Sequence, residues 1–266
     1  MNPTDHSFYC DSLTKIVQTG RVKLDDKVLV VCGGTTDKEA LQAAGFTNVT
    51  ISNLDERLKG DEFSPYAWSF QDAEHLTFEN GAFDFVIVHN GLHHCFSPHK
   101  ALVELLRVAR KGVFAVEPRD GLLQRFFVRV GFGQNYEVDS VVKNDMRFGG
   151  VANTRIPNFI YRWSEHDVSK TAHCALPWGK PLIRFFYAMR YNRRRYREMR
   201  NPFFRIVAST IGPLLSLLQK VFPTIGNRFG FFIAKPLDDS ELHPWIRRDG
   251  AGFDLRDEWA KERYKI

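Results

Sequence analysis

Short runs of apolar residues, each followed by a turn and a helical pattern, constrain this fold most. Val28 to Val31, the stretch 48–55 (NVTISNLD), Phe85 to Val88 and residues 112–116 (GVFAV) are too short for helices. The purely apolar ones suit strands covered on both faces. Between them, TTDKEALQAAGF reads as a helix with Thr36 as N-cap, Glu39 as its capping-box partner and Gly45 as terminator. Residues 97–112 read as an amphipathic helix with apolar positions 102, 105, 106 and 109. A further strand is expected within 66–76 and a leading helix over 12–22. Strand and helix alternating through short loops imply a parallel sheet with helices on both faces, an α/β doubly wound fold.

Regularity fades over 119–160, read as an insert over the carboxyl ends of the strands. Ser164 then opens a helix, and 181–188 and 229–235 read as strands. Between these two lies the stretch RFFYAMRYNRRRYREMR, with seven arginines, followed by an apolar stretch at 206–218 that is too short to span a bilayer. From Gly179 to Lys235 there are 12 Lys and Arg against one acid, Glu198, so the formal charge of +6 is concentrated there and the rest is net acidic. One basic segment on an acidic body suggests a local anionic partner and argues against a general nucleic-acid-binding protein. A solvated helix face explains the arginines equally well. Cys10, Cys32, Cys95 and Cys174 show no paired or CxxC spacing, and the first 15 residues show no signal-peptide pattern. A reduced, cytoplasmic protein is expected.

In open parallel sheets, ligands sit beyond the carboxyl ends of the strands at the switch point. Gly33 and Gly34 follow the first strand, and Asn53 and Asp55 end the second, where a ribose-binding group stands. These residues suit a nicotinamide or an S-adenosylmethionine (SAM) fold, and equally a tight turn with no ligand.

The next residues discriminate. QDAEHLTFENGAFDFVIVHNGLHHC closely resembles the DAExLPFxxxxFDxVxxxxxLHH pattern of the class I SAM-dependent methyltransferases, in their small-molecule group. LVELLRVARKGVFAVEP resembles the helix and fifth strand that follow, and NRFGFFIAKP resembles the family's last strand. The likeness covers residues 24–118 well and 159–236 loosely. It implies a Rossmann-like, mostly parallel seven-stranded sheet whose last strand runs antiparallel between the fifth and sixth. On this reading residues 1–236 form the methyltransferase domain, with 119–160 and 189–225 as inserts forming a lid, and 237–266 as a tail.

The resemblance implies SAM as cofactor. Cys32, Gly33, Gly34 and Thr35 match the loop near its methionine moiety, although Cys32 and Thr36 replace glycines and Val30 an acid. Asn53, Leu54 and Asp55 match the ribose position, with Asn53 standing for a carboxylate. Asp72, Ala73 and Glu74 match the loop beside the adenine, and His89, Asn90 and Gly91 the region near the methyl group.

The expected activity is methyl transfer to a small molecule, at oxygen, with a sugar or other anionic metabolite as acceptor. His93 or His94 is expected to act as base or to position the acceptor. Substrate contact is expected from Glu117, Arg193 and Arg194, on a phosphorylated or nucleotide- or lipid-linked acceptor. The spacing of His89, His93, His94, His99 and Cys95 matches no established ligand pattern, so no metal is expected. Two other classes stay open. One is a non-catalytic binding protein with a decayed cofactor loop, and the other is a nicotinamide-dependent oxidoreductase. The segment 189–222 stays open as lid, homodimer contact or contact with an anionic membrane.

Overall fold

The computed structural model describes residues 3–189, 202–250 and 252–265. Seven strands form one sheet: β1 (Val28–Val31), β2 (Val49–Asn53), β3 (Ala67–Phe70), β4 (Phe83–His89), β5 (Ala109–Pro118), β6 (Leu182–Ala188) and β7 (Arg228–Ala234). Their order is β3-β2-β1-β4-β5-β7-β6. β1 to β5 pair in parallel, and β7 runs antiparallel between β5 and β6. The sheet therefore has the doubly wound, mostly parallel form with a reversed last strand that the resemblance implied.

Side-chain alternation builds a core on each face. Leu29, Val31, Val86, Val88, Val113, Ala115, Phe229 and Phe231 point to one face. There they meet Leu102, Leu105 and Leu106 of α3 (Pro98–Val108) and Val168 and Ala172 of α6 (Glu165–Ala175). Val28, Val30, Phe85, Ile87, Phe114 and Phe232 point to the other. That face is closed by Tyr9, Leu13 and Ile16 of α1 (Pro3–Val17) and by Ala40 and Leu41 of α2 (Thr35–Ala44).

Ser97 and Ser164 cap α3 and α6 by accepting from Lys100 and Asp167 N–H groups. The cap of α2 corrects the sequence reading. Gly34 is the N-cap, and its N–H donates to the Asp37 carboxylate at 2.9 Å, so Thr36 and Glu39 do not form the capping box. The leading helix, expected over 12–22, starts at Pro3 and ends at Val17. Beyond its end the Thr19 hydroxyl donates to the Ile16 carbonyl at 2.6 Å.

Between β5 and α6 lie α4 (Leu122–Arg129) and α5 (Val138–Lys143). After β6, α7 (Pro202–Val221) leads to β7, and the tail folds as a hairpin, β8 (Ile246–Asp249) and β9 (Gly252–Leu255), then α8 (Asp257–Tyr264). Arg193 and Arg194, the expected substrate contacts, lie outside the described residues.

Phe231 is fully buried, whereas Leu122 is 84% exposed. Phe231→Ala is expected to cost ~3–5 kcal/mol and to lower the Tm by roughly 10 °C. Leu122→Ala is expected to stay within about 0.5 kcal/mol. Paired thermal melts check both.

Candidate active site

The strand order reverses beside β1, so the loops after β1 and β4 diverge and leave a crevice. A cavity of about 280 Å³ occupies it. Cys32 lines it after β1, Asn53, Leu54, Asp55 and Arg57 after β2, Asp72, Ala73 and Glu74 after β3, and Asn90, Gly91, His94 and Cys95 after β4. Residues between α5 and α6 complete the wall, namely Asn144, Gly149, Gly150, Ala152 and Asn153.

Two backbone positions at its floor are left-handed, Cys32 and Asn90, each with φ 55°. Asparagine tolerates this region, whereas a cysteine there is strained. The resemblance places a glycine at position 32. Gly91 is what lets the Cys32 side chain fit, because a Cβ at Gly91 would lie 2.5 Å from Cys32 Cβ and 2.9 Å from Val88 Cγ2. The Cys32 thiol, together with burial, pushes the Cys95 thiol well up, so Cys95 is kept protonated.

The glycine pair itself does not line the cavity. A Cβ on Gly33 would meet Ile51 Cγ2 and Val30 Cγ1, both at 2.8 Å, so this glycine serves the close approach of the loop to the sheet. Gly34 and Thr35 belong to the start of α2. Asn53 donates to the Gly33 carbonyl at 2.9 Å and accepts from Asp55 N–H at 3.1 Å, so both ends of its amide have internal partners. Asp55 forms a two-pronged ion pair with Arg57, 2.9 Å from Nε to Oδ1 and 2.6 Å from Nη2 to Oδ2. That pair holds the Asp55 carboxyl below its ordinary range. Asp72 accepts from the Glu74 N–H at 2.9 Å and stays 40% exposed, while Glu74 accepts from Phe96 and Ser97 N–H at the start of α3.

Glu117, at the end of β5, is fully buried. One oxygen accepts from the N–H groups of Gly91 and Leu92 at 2.9 and 2.8 Å, and the other from His93 Nδ1 at 2.6 Å. It is thus occupied by the β4 loop and does not reach the cavity wall. Of the two histidines, His94 lines the cavity and His93 lies behind it, 5% exposed. Burial lowers the His93 pKa, but the carboxylates of Glu117 and Glu137 outweigh it and hold it up at about 9. His93 is therefore no base at neutral pH. For His94, burial and the neighbouring His93 push the pKa down, leaving a neutral imidazole. His89 is buried against Tyr9, with ring centroids 4.5 Å apart, and its Nε2 accepts from Asn90 at 2.8 Å. Arg57, Glu137, Asn144 and Asn153 join the site without a signal in periodicity or motif.

Gly91→Ala is expected to destabilise the fold by ~1–3 kcal/mol through overpacking. The double variant Cys32→Gly/Gly91→Ala should regain part of that loss, because the 2.5 Å clash is removed while the contact with Val88 stays. Melts of the wild type, both single variants and the double variant measure the coupling.

A family model described as a methyltransferase domain matches residues 30–116. A demethylmenaquinone methyltransferase from Clavibacter sepedonicus is 30% identical over 112 residues, covering 38% of this chain and 45% of that protein. The chain thus matches just under half of that relative's length. Magnesium protoporphyrin IX methyltransferase from Synechocystis PCC 6803, solved with bound SAH, is 16% identical with a TM-score of 0.50, covering 87% of this chain and 84% of that one. A SAM-dependent methyltransferase from Thermotoga maritima is 13% identical with a TM-score of 0.46, covering 87% and 92%. At 16% identity the structure of the magnesium protoporphyrin IX methyltransferase speaks to the fold alone. Residues 30–116 of this chain thus match a methyltransferase domain, and the sheet around them has the fold of the class I SAM-dependent methyltransferases.

Proposed function

We propose that the chain binds SAM in this cavity and transfers the methyl group to a small-molecule acceptor, at oxygen. The observation that carries this reading is the convergence of the loops after β1 to β4 on one polar cavity, within the residues of the methyltransferase domain. Its volume lies near the lower end of the ~300–1,000 Å³ typical of small-molecule sites. Asp55, Asp72 and Glu74 outnumber the single Arg57 on its wall, which suits a cofactor with a cationic sulfur.

When bound, the cofactor supplies a methyl group on its own leaving group, so the chain's task is to orient and to handle one proton. Asp72 is free enough to accept a hydrogen bond from an adenine amino group. The ribose falls to Asp55, which lines the cavity beside Asn53 and would exchange part of its bonding to Arg57 for the hydroxyls. On this reading Asn90 and Gly91 border the methyl end, and His94, on the cavity wall, positions the acceptor. Residues 119–160 act as the lid on this reading, since Asn144, Gly149, Gly150, Ala152 and Asn153 already line the cavity.

An anionic acceptor, such as a phosphorylated or lipid-linked sugar, is supported by the arginine-rich stretch before α7. Peripheral membrane contact is supported by α7 itself, where Leu217 and Val221 are 61% and 71% exposed. Among the described residues no helix is long and apolar enough to cross a membrane.

Calorimetric titration tests the cofactor reading. Micromolar binding of SAM and S-adenosylhomocysteine is expected, weakened about tenfold or more, at least ~1.4 kcal/mol, by Asp72→Ala. His94→Ala should leave that affinity unchanged. Absence of binding at saturating cofactor supports the non-catalytic alternative instead. Flotation with anionic vesicles tests the membrane contact: the wild type is expected to float and Leu217→Glu/Val221→Glu to stay down. Equal recovery of both removes the membrane contact. Recovery as a dimer without flotation assigns α7 to a second copy of the chain.

A further inference from the structure

The two histidines that the sequence offered as a base are joined in space by a carboxylate that the sequence did not connect to them. Glu137 Oε2 lies 3.3 Å from His93 Nε2 and 3.4 Å from His94 Nε2. Among the described residues, these three side chains are the group of histidines, cysteines and acids whose ligand atoms all fall within 4.8 Å of one another. We propose that His93, His94 and Glu137 bind a divalent transition-metal ion of the zinc class beside the acceptor end of the cavity.

Two of the three edges of the cluster have the spacing that a shared ion requires. Two ligand atoms at ~2.0–2.2 Å from one tetrahedral ion stand ~3.3–3.5 Å apart. Hydrogen bonding does not account for the cluster, because Glu137 Oε2 is buried and has no hydrogen-bond partner despite two ring nitrogens near it. Both rings are also oriented from behind. His93 Nδ1 donates to Glu117 Oε2 at 2.6 Å, and His94 Nδ1 to the Gly150 carbonyl at 3.4 Å. Each partner only accepts, so a neutral ring keeps its proton on Nδ1 and turns the Nε2 lone pair towards Glu137. A carboxylate or carbonyl behind a ligating histidine is the usual support of a metal site.

Charge gives the same answer. Glu117 and Glu137 bring two negative charges beside the cluster, which favours a cation there. The donor set also selects the ion: two imidazoles and one carboxylate suit zinc, cobalt or ferrous iron, whereas magnesium and calcium take oxygen ligands. Three protein ligands leave at least one position open, as in metal sites that bind a reactant.

His94 lines the cavity, so the ion stands next to the acceptor. There it would take the acceptor's hydroxyl oxygen as a ligand and ease loss of its proton to solvent. The oxygen's electron pair then forms the new bond to the methyl carbon, and the pair of the broken carbon–sulfur bond stays on sulfur. This role rests on the methyl-transfer reading; the ion site itself does not.

Untagged protein, stripped with chelator, is titrated with Co²⁺ and followed by the visible bands of the low-coordinate ion, with Zn²⁺ competition measured by equilibrium dialysis. One equivalent per chain is expected. His94→Ala and Glu137→Gln should each weaken binding ~100-fold or more. Glu117→Gln, which loses the support behind His93, should weaken it ~10–100-fold. His99→Gln, whose ring bonds Thr171 and Tyr161, should bind as the wild type does. Circular dichroism and melting of the metal-free variants separate lost ligands from lost folding. No saturable binding by the folded wild type overturns the site, as does unchanged binding in both His94→Ala and Glu137→Gln. A SAM titration on the same samples separates the two claims: ion binding without SAM binding keeps the site and sinks the methyl-transfer role, and SAM binding without ion binding does the reverse.

Discussion

The carboxylate of Glu117 has no water to solvate it, and it reaches a stable state only by collecting donors. It finds them in the loop after β4: two backbone N–H groups from Gly91 and Leu92, and the ring of His93. A buried, unpaired carboxylate is costly enough that these partners are in effect compulsory. One strand end thereby fixes the path of the next strand's loop, and that loop carries Asn90, Gly91, His94 and Cys95 to the cavity wall. The opposite side is set in the same way. Asp37 ties down Gly34 at the start of α2 and faces His89, with 3.7 Å between the nearest atoms. The crevice is held open by polar groups whose burial demands partners, on a sheet whose faces are closed by apolar packing alone.

The sheet was legible because strands covered on both sides must be apolar throughout, and few other structures ask for that. Ser164 was legible as the start of α6 because a side-chain oxygen beside a first-turn N–H is a local event. The cap of α2 was not, since Gly34 has no side chain to announce it and the acid that satisfies it, Asp37, sits inside the helix. The motif after β3 and β4 pointed to loops that converge, and Cys32, Asn53, Leu54, Asp55, Asp72, Ala73, Glu74, Asn90, Gly91 and His94 do meet in one cavity. What it could not tell was how each residue is used. Asn53 bonds Gly33, Glu117 serves the backbone, and Gly33 makes room for Ile51 and Val30.

Glu137 and Asn144 show the limit most clearly. Both come from a stretch with no periodicity, and their place depends on the chain returning over the ends of β1 to β4. Nothing in their neighbours announces this, although 137 lies 43 residues from His94 in sequence and 3.4 Å from it in space. The departures in the first loop also look different in three dimensions. Cys32 in place of glycine is accommodated by Gly91 opposite, so two positions far apart in sequence share one packing contact.

The central claim is that the crevice beyond β1, β2 and β4 holds the cofactor. The most direct measurement is a crystal structure with S-adenosylhomocysteine bound. The account places the ligand in the cavity, with its ribose at Asp55, its adenine at Asp72 and its sulfur towards Asn90 and His94. Ligand bound away from these residues, or a cavity still empty at saturating ligand, would contradict it.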